Sequence, residues 1–503
     1  MTETAAAATP TPTCPCCATP ERSHALSVAP MIEVTDRHFR MLIRIIAPGA
    51  SPHLWSEMTW DRAILYNAPS EPEFALNTNA CRPGLGAVLG FSAEERPLTL
   101  QLGGSDPQKL ARAARLAEAQ GYDEINLNCG CPAQTRGRSR NCFGARLMRE
   151  PETVAACCAA LCAAVSLPVT VKMRLGVDEH DSYAALHRFV ELVAAAGVAH
   201  FVVHARAALL GLDTAKNRSV PPLRHEWAFA LLDDFPHLRF SINGGVGSLE
   251  HAAALLQAGA HGVMIGRRAN ADPYMFAGSR AALGVAFGEG EGWGEGGGVC
   301  ARCGSRDPPT RREVLRAYSE YALAAAEANW AGTSREQTAR SLLTPLTGLF
   351  YNTPAARVWK QAVSARLQDK EGLAASSVPD LIAACVEELS RSSAALARLL
   401  DSRPPPFRPG SLSAEATPPQ RPCLVERHHR AGGGSHGDER PRRSSAGARQ
   451  KEKRAPAHAD SAPATMAMAA RPWDWNSAAV AALTLALAAA AARAALRPRG
   501  TLV

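Results

Sequence analysis

Several features that would settle the class of this 503-residue chain at once are missing. No Gly-x-Gly-x-x-Gly run follows its first strand-like segment, which argues against a dinucleotide-binding doubly wound sheet. The Gly-rich stretch Gly288 to Gly298 follows no strand and opens no helix, so it reads as an insert loop. Residues 1–24 carry Glu3 and Glu21 and no arginine before Arg22. They match neither a secretory signal nor an Arg-rich transit peptide, so the cytoplasm or an organelle interior is expected. No uncharged apolar run reaches the ~18 to 20 residues needed to cross a bilayer. Ala478 to Ala492 falls short and ends at Arg493, so membrane contact is not expected. The 14 cysteines lack the pattern of a disulfide framework: Cys157, Cys158, Cys162 and Cys385 sit inside apolar runs, where a free thiol packs as a small hydrophobe. Cys14, Cys16 and Cys17 could join the CARC pair Cys300 and Cys303 at a zinc ion, but the N-terminal spacing is poor for a zinc knuckle and both segments read as loops, so no metal is expected. Finally, residues 1–401 have almost no excess charge: the formal net charge of +8 divides into −1 for residues 1–401 and +9 for residues 402–503.

What is present divides into segments. Residues 1–25 read as a disordered leader, and residues 402–503, rich in Pro, Gly, Ser and Arg, as a disordered basic tail with a short Ala-rich stretch. Between them, eight β-branched or apolar runs alternate with helical patterns: Leu26 to Ala29, His53 to Met58, Leu98 to Leu102, Glu124 to Asn128, Val169 to Met173, Phe201 to His204, Arg239 to Asn243 and Gly262 to Gly266. Amphipathic stretches such as Pro107 to Gln120 and Tyr183 to Ala196 lie between them, several closed by glycine. Eight strand-helix units in about 255 residues predict an α/β fold, a (β/α)8 TIM barrel over residues 26–283. A Gly-rich insert (284–310) and a small α-helical domain (311–401) follow it.

A barrel of this kind carries its chemistry at the C-terminal ends of its strands. Those ends are polar here: Pro30-Met31, Glu57-Met58, Gln101, Asn128 with Cys131, Lys172, His204-Ala205-Arg206, Asn243-Gly244-Gly245 and Gly266-Arg267. The loops after strands 7 and 8 suit a phosphate, because the Gly-rich backbone can approach an anion and the helix after Ser248 directs its positive end at it. A phosphorylated cofactor is therefore expected. Lys172 would then stabilise negative charge on a flavin ring, or in an aldolase form a Schiff base, while Gln101 and His204 would hydrogen-bond the ring edge.

These residues together resemble the flavin-dependent tRNA-dihydrouridine synthases, most closely the A-type subfamily acting on uridines 20 and 20a. The resemblance is carried by APMIEVTDRHFR (29–40), SEM (56–58), QLGGSDP (101–107), YDEINLNCGCP (122–132), VKMRLGV (171–177), HAR (204–206), NGG (243–245) and GR (266–267). It resumes at GLFYNTPAARVWK (348–360) in the helical segment. It implies FMN held by Pro30, Met31, Ile32, Gln101, Lys172, His204, Asn243, Gly244, Gly245, Gly266 and Arg267, with NADPH as electron donor. Hydride would pass to C6 of a uracil while Cys131 protonates C5 as general acid. Pro132 pushes Cys131 into extended backbone, off the strand end. Asn128 would bind the uridine, and Arg206, Lys216, Arg218, Arg357 and Lys360 would contact tRNA.

A monomer is expected. The loop after Cys131 holds Arg136, Arg138, Arg140, Arg146 and Arg149 and no acid between 133 and 149. A general acid must keep its proton while cations favour a thiolate, so Arg136 to Arg140 are expected to face outward onto RNA phosphates. The readings in competition with this one are another FMN barrel oxidoreductase acting on a small molecule, and a tRNA-binding relative without activity.

Overall fold

In the computed structural model the strand-like runs align in parallel around an axis. The structure describes residues 23–49, 51–68, 83–133, 143–287, 307–329 and 332–404. Eight strands, β1 (Leu26–Val28), β2 (Leu54–Trp60), β3 (Leu98–Gly103), β4 (Glu124–Cys129), β5 (Val169–Arg174), β6 (His200–His204), β7 (Arg239–Asn243) and β8 (Gly262–Ile265), pair in the order β1-β8-β7-β6-β5-β4-β3-β2. The ends of that order meet at His53, where Val28 N–H donates to the His53 carbonyl (3.0 Å) and His53 N–H to that of Leu26 (2.8 Å). The expected barrel is therefore the observed one, with helices after it. No helix among the described residues is long and apolar enough to cross a membrane.

The alternation of side chains along each strand explains both surfaces of the sheet. Leu98, Leu100 and Leu102, Ile125 and Leu127, Val169 and Val171, Phe201 and Val203, and Val263 and Ile265 join the helices in one large apolar cluster. The intervening positions point into the barrel and are mostly polar: Thr99 and Gln101, Glu124, Asn126 and Asn128, Thr170 and Lys172. Trp55, Val202, Ala29 and Met264 form a small apolar plug among them.

Buried polar groups need partners, and here they find each other. Glu124 accepts from Thr99 (3.1 Å) and Thr170 (2.9 Å) and pairs with His24 (2.8 Å). His53 bonds Thr99 (2.7 Å), and His200 bonds Ser241 (2.8 Å). Ligand atoms of His24, Glu124 and His200 lie within 4.8 Å of one another, the one such group among the described residues. It forms a hydrogen-bonded floor to the barrel.

Helix boundaries follow the caps. Asp106 caps Pro107–Gln120 by accepting from the Gln108 and Lys109 amides, and Gly121 ends it at φ 97°. Thr310 and Glu313 form a capping box that starts Arg311–Ala328, the first helix after the barrel. That helix packs on the barrel helix Arg37–Ile46, where His38 Nδ1 and the Tyr321 hydroxyl are 2.8 Å apart. Further contacts fasten the helical segment to the barrel: Arg311 lies 3.9 Å over the Tyr274 ring, and Arg268 4.3 Å over that of Tyr351.

Candidate active site

Cys131 stands just past β4, and its loop is held at three points. The Asn128 Oδ1 accepts from the amides of Gly130 and Cys131, both at 3.0 Å. The Cys131 carbonyl accepts from Ala145 N–H (2.8 Å), and the Gly130 carbonyl from Arg174 Nε (3.1 Å). A Cβ on Gly144 would lie 2.4 Å from the Cys131 carbonyl oxygen, and Gly144 has φ 65°, so only glycine lets the chain close here. Asn128, expected to meet the uridine, is buried and divides its amide between this loop and Gln101, to which Nδ2 donates (2.7 Å). Gln101 in turn donates to Asn126 (2.9 Å), which donates to Thr170 (2.9 Å). The Cys131 loop and the barrel floor are thus joined by one chain of amides that fixes which way Gln101 and Asn128 face.

The neighbouring strands supply cations and glycines. Lys172 Nζ donates to Asn243 Oδ1 (3.1 Å), whose Nδ2 is committed to the Met264 carbonyl (2.7 Å). Burial drives the Lys172 amine down from 10.5 to about 7; Arg174 pushes the same way and Cys131 opposes. His204 is held well below the ordinary histidine range by burial, then by Arg174, Lys172, Arg206 and Arg267, so it is neutral. Gly244, at φ 100°, presses on that ring: a Cβ there would lie 2.5 Å from His204 Cδ2 and 3.0 Å from Nε2. The His225 ring is 2.8 Å from the Gly244 carbonyl. Ser248 caps Leu249–Gln257 through the His251 amide (3.1 Å), completing a glycine turn at a helix start. Met31 closes the other side. Its carbonyl accepts from Val34 (3.1 Å) and Thr35 (2.9 Å), its sulfur would lie 3.9 Å from a Cβ on Gly266, and Ile32 beyond it is 59% exposed.

Arg206, Arg218 and Arg267 meet at the rim after β6 and β8. Arg206 Nη1 donates to the Pro221 carbonyl, and Arg267 Nη2 to that of Arg218 (3.3 Å). Lys216 is exposed beside Asp213. Arg357 and Lys360 lie exposed on helix Ala356–Gln368, which is anchored by buried Trp359 through its indole N–H to the Leu346 carbonyl (2.8 Å). Arg136 to Arg140, most of the Gly-rich insert, the leader up to residue 22 and the tail from residue 405 lie outside the described residues. Two residues of the site were not singled out from the sequence, Arg174 and Gly144. The spacing of Arg174 two residues after Lys172 on one strand was the signal available for the first.

The family model of dihydrouridine synthase (Dus) matches residues 27–289. A tRNA-dihydrouridine(20/20a) synthase of Xanthomonas campestris is 43% identical over 340 residues, covering 67% of this chain and 87% of that one. Its counterpart in Vibrio parahaemolyticus is 39% identical over 371 residues, 73% of this chain and 98% of that one. That of Synechocystis is 47% identical over 253 residues, 50% and 70%. With the model spanning slightly over half of the sequence and relatives of this coverage, the chain belongs to the dihydrouridine synthase family.

Proposed function

We propose that this protein reduces uridine to 5,6-dihydrouridine in the D-loop of tRNA, at position 20 or 20a. The observation that carries the reading is the convergence on one barrel rim of a pinned cysteine, a desolvated lysine, a neutral histidine and a glycine turn at a helix start. These residues fit FMN: Gly244 and Gly245 turn at φ 100° and 75° with no side chain to cover their backbone, a helix starts just beyond them at Ser248, and Arg267 stands on the adjacent loop. Gly244, Gly245, Gly266 and Arg267 would hold its phosphate, and Pro30, Met31, Ile32, Gln101, Lys172, His204 and Asn243 its ring and chain. The chemistry such a flavin would supply is hydride for C6 of the uracil, with NADPH as the source of electrons.

The rest falls to side chains of this protein. Cys131 gives its thiol proton to C5, completing reduction of the C5–C6 bond, and recovers a proton from solvent. Neutral His204 offers a hydrogen bond without adding charge, whereas Lys172, titrating near 7, brings a cation to the site at little cost. Asn128 fixes the acid loop and keeps one amide hydrogen for a uracil carbonyl. The target base must be splayed out of folded RNA to reach this depth. Arg206, Lys216, Arg218, Arg357 and Lys360, with Arg136 to Arg140, would take the phosphates.

Mapping dihydrouridine by mass spectrometry in tRNA from cells with and without the enzyme tests the reading. Product at position 20 or 20a, abolished in Cys131→Ala protein that still binds flavin, is the expected result. Flavin-loaded wild-type protein that modifies no tRNA, or a Cys131→Ala protein with full yield, would sink it. Reversing Arg136, Arg138 and Arg140 to Glu is expected to weaken tRNA binding and flatten its salt dependence, with NADPH oxidation intact.

A further inference from the structure

The most constrained cation of the site has no part in the chemistry above. Arg174 is 3% exposed, and each of its hydrogen bonds goes to a backbone carbonyl. Nε donates to Gly130 (3.1 Å), and Nη1 to Ala207 (3.1 Å) and to Asn217 (2.9 Å). Its strand β5 lies between β4 and β6, so one guanidinium bridges the loops that leave the two flanking strands. Burial brings it down to about 10, with Cys131 opposing and Arg206 and Arg218 assisting, so it remains charged at neutral pH.

The loop after β6 is braced by hydrogen bonds of its own. Asn217 is fully buried; its Nδ2 donates to the carbonyls of Leu209 (2.7 Å), Leu212 (3.0 Å) and Asp213 (3.2 Å), while Oδ1 accepts from Leu209 N–H (2.7 Å). Ala208 exchanges backbone hydrogen bonds with Gly176 and Asp178, both 2.8 Å. That braced loop bears Arg206, Lys216 and Arg218. On the other side of Arg174, the Gly130 carbonyl is one peptide from Cys131.

We propose that Arg174 is a positioning residue that locks the acid loop to the loop after β6, so that RNA seated on Arg206 to Arg218 sets the place of the Cys131 thiol. A lysine keeps the charge but cannot reach three carbonyls on two loops, because its donors radiate from one atom rather than from a planar fork. The inference rests on the proposed reaction for its kinetic arm and on the structure alone for its mechanical arm.

Hydrogen exchange and stopped-flow flavin kinetics on Arg174→Lys and Arg174→Met proteins test it. Amides of 128–133 and 205–218 should exchange at least tenfold faster together in both variants, with helices Tyr183–Ala195 and Leu249–Gln257 unaffected. Flavin reoxidation by tRNA should slow at least tenfold more than flavin reduction by NADPH slows. Loosening of one loop only, equal slowing of both half-reactions, or a lysine variant like wild type would overturn the clamp. Should the methionine variant not fold, the lysine variant decides by the same measurements. If wild-type protein made no dihydrouridine, the exchange arm would still judge the clamp, while the proposed reaction would fall separately.

Discussion

Gly244→Ala is the sharpest probe of the phosphate turn. Two costs arise: a non-glycine residue at φ 100° is strained by about 1–3 kcal/mol, and its Cβ would stand 2.5 Å from the His204 ring. Relieving that overlap adds about 1–3 kcal/mol, as in other overpacked interiors. The total, about 2–6 kcal/mol, must surface in one of two places. If the flavin-free turn relaxes locally, flavin binding has to restore the strained form, and affinity for FMN falls at about tenfold per 1.4 kcal/mol. If the turn cannot relax, the cost enters global stability, and the melting temperature drops by about 2–4 °C per kcal/mol. Titrating apoprotein with FMN by fluorescence quenching, alongside thermal melts, reads both. Gly247→Ala is the internal control, because a Cβ at Gly247 meets nothing within 4 Å. A Gly244→Ala protein that binds FMN within about twofold of wild type and melts at the same temperature would refute the argument.

Other perturbations separate charge from packing. Lys172 titrates near 7 when folded and near 10.5 when unfolded, so between those values the unfolded chain alone carries the proton and stability rises with pH. Urea unfolding of apoprotein should show that rise in wild type and less of it in Lys172→Met; equal slopes would contradict the shift. Tyr321→Phe removes the bond to His38, whose ring burial pushes down to about 3, followed by the effects of Arg37 and Arg40. The loss should be about 1 kcal/mol and the same at pH 5 and pH 8, because the ring is neutral at both. A cost that grew towards pH 5 would mean an imidazolium there. Arg218→Gln should lower the slope of log affinity for tRNA against log salt by about 0.7–0.9, one phosphate contact, in filter-binding assays; an unchanged slope would place Arg218 off the RNA.

The barrel was legible because its signals are local. Apolar runs and glycine stops located every strand to within about two residues. The misses have physical causes. The His53 to Met58 run continues to Trp60 through a register shift between Trp55 and Met58, which no periodicity announces. Inside the segment read as α-helical, helix Arg335–Leu343 stops short of Pro345, which has no N–H to offer the next turn. Among site residues, the rim positions of Cys131, Lys172, His204 and the glycines follow from strand ends. Which partners they find does not, since Arg174 reaches carbonyls 33 to 44 positions away in sequence. The polar ladder inside the barrel was half visible: Asn126 and Asn128, or Thr170 and Lys172, alternate with apolar residues as a strand buried on two unlike faces should.

A near-neutral body and a polyanionic substrate are compatible once the pairing of arginines is followed. Away from the rim, arginines meet carboxylates: Arg40 with Glu95, Arg96 with Asp123, Arg312 with Asp401 and Arg366 with Glu388. Those acids account for the balance of charge and leave no field there to attract RNA. Arg206 and Arg267, by contrast, donate to the carbonyls of Pro221 and Arg218, and the Arg206 guanidinium is lowered first by burial and then by Arg267. A carbonyl neutralises nothing, so positive potential accumulates beside the active site although the total is near zero. Net charge thus reports on the tail, while the placement of acids decides where on the barrel a phosphate can be drawn. The preference of RNA for the rim that the proposed function requires would then rest on carboxylates paired elsewhere as much as on the arginines the rim displays.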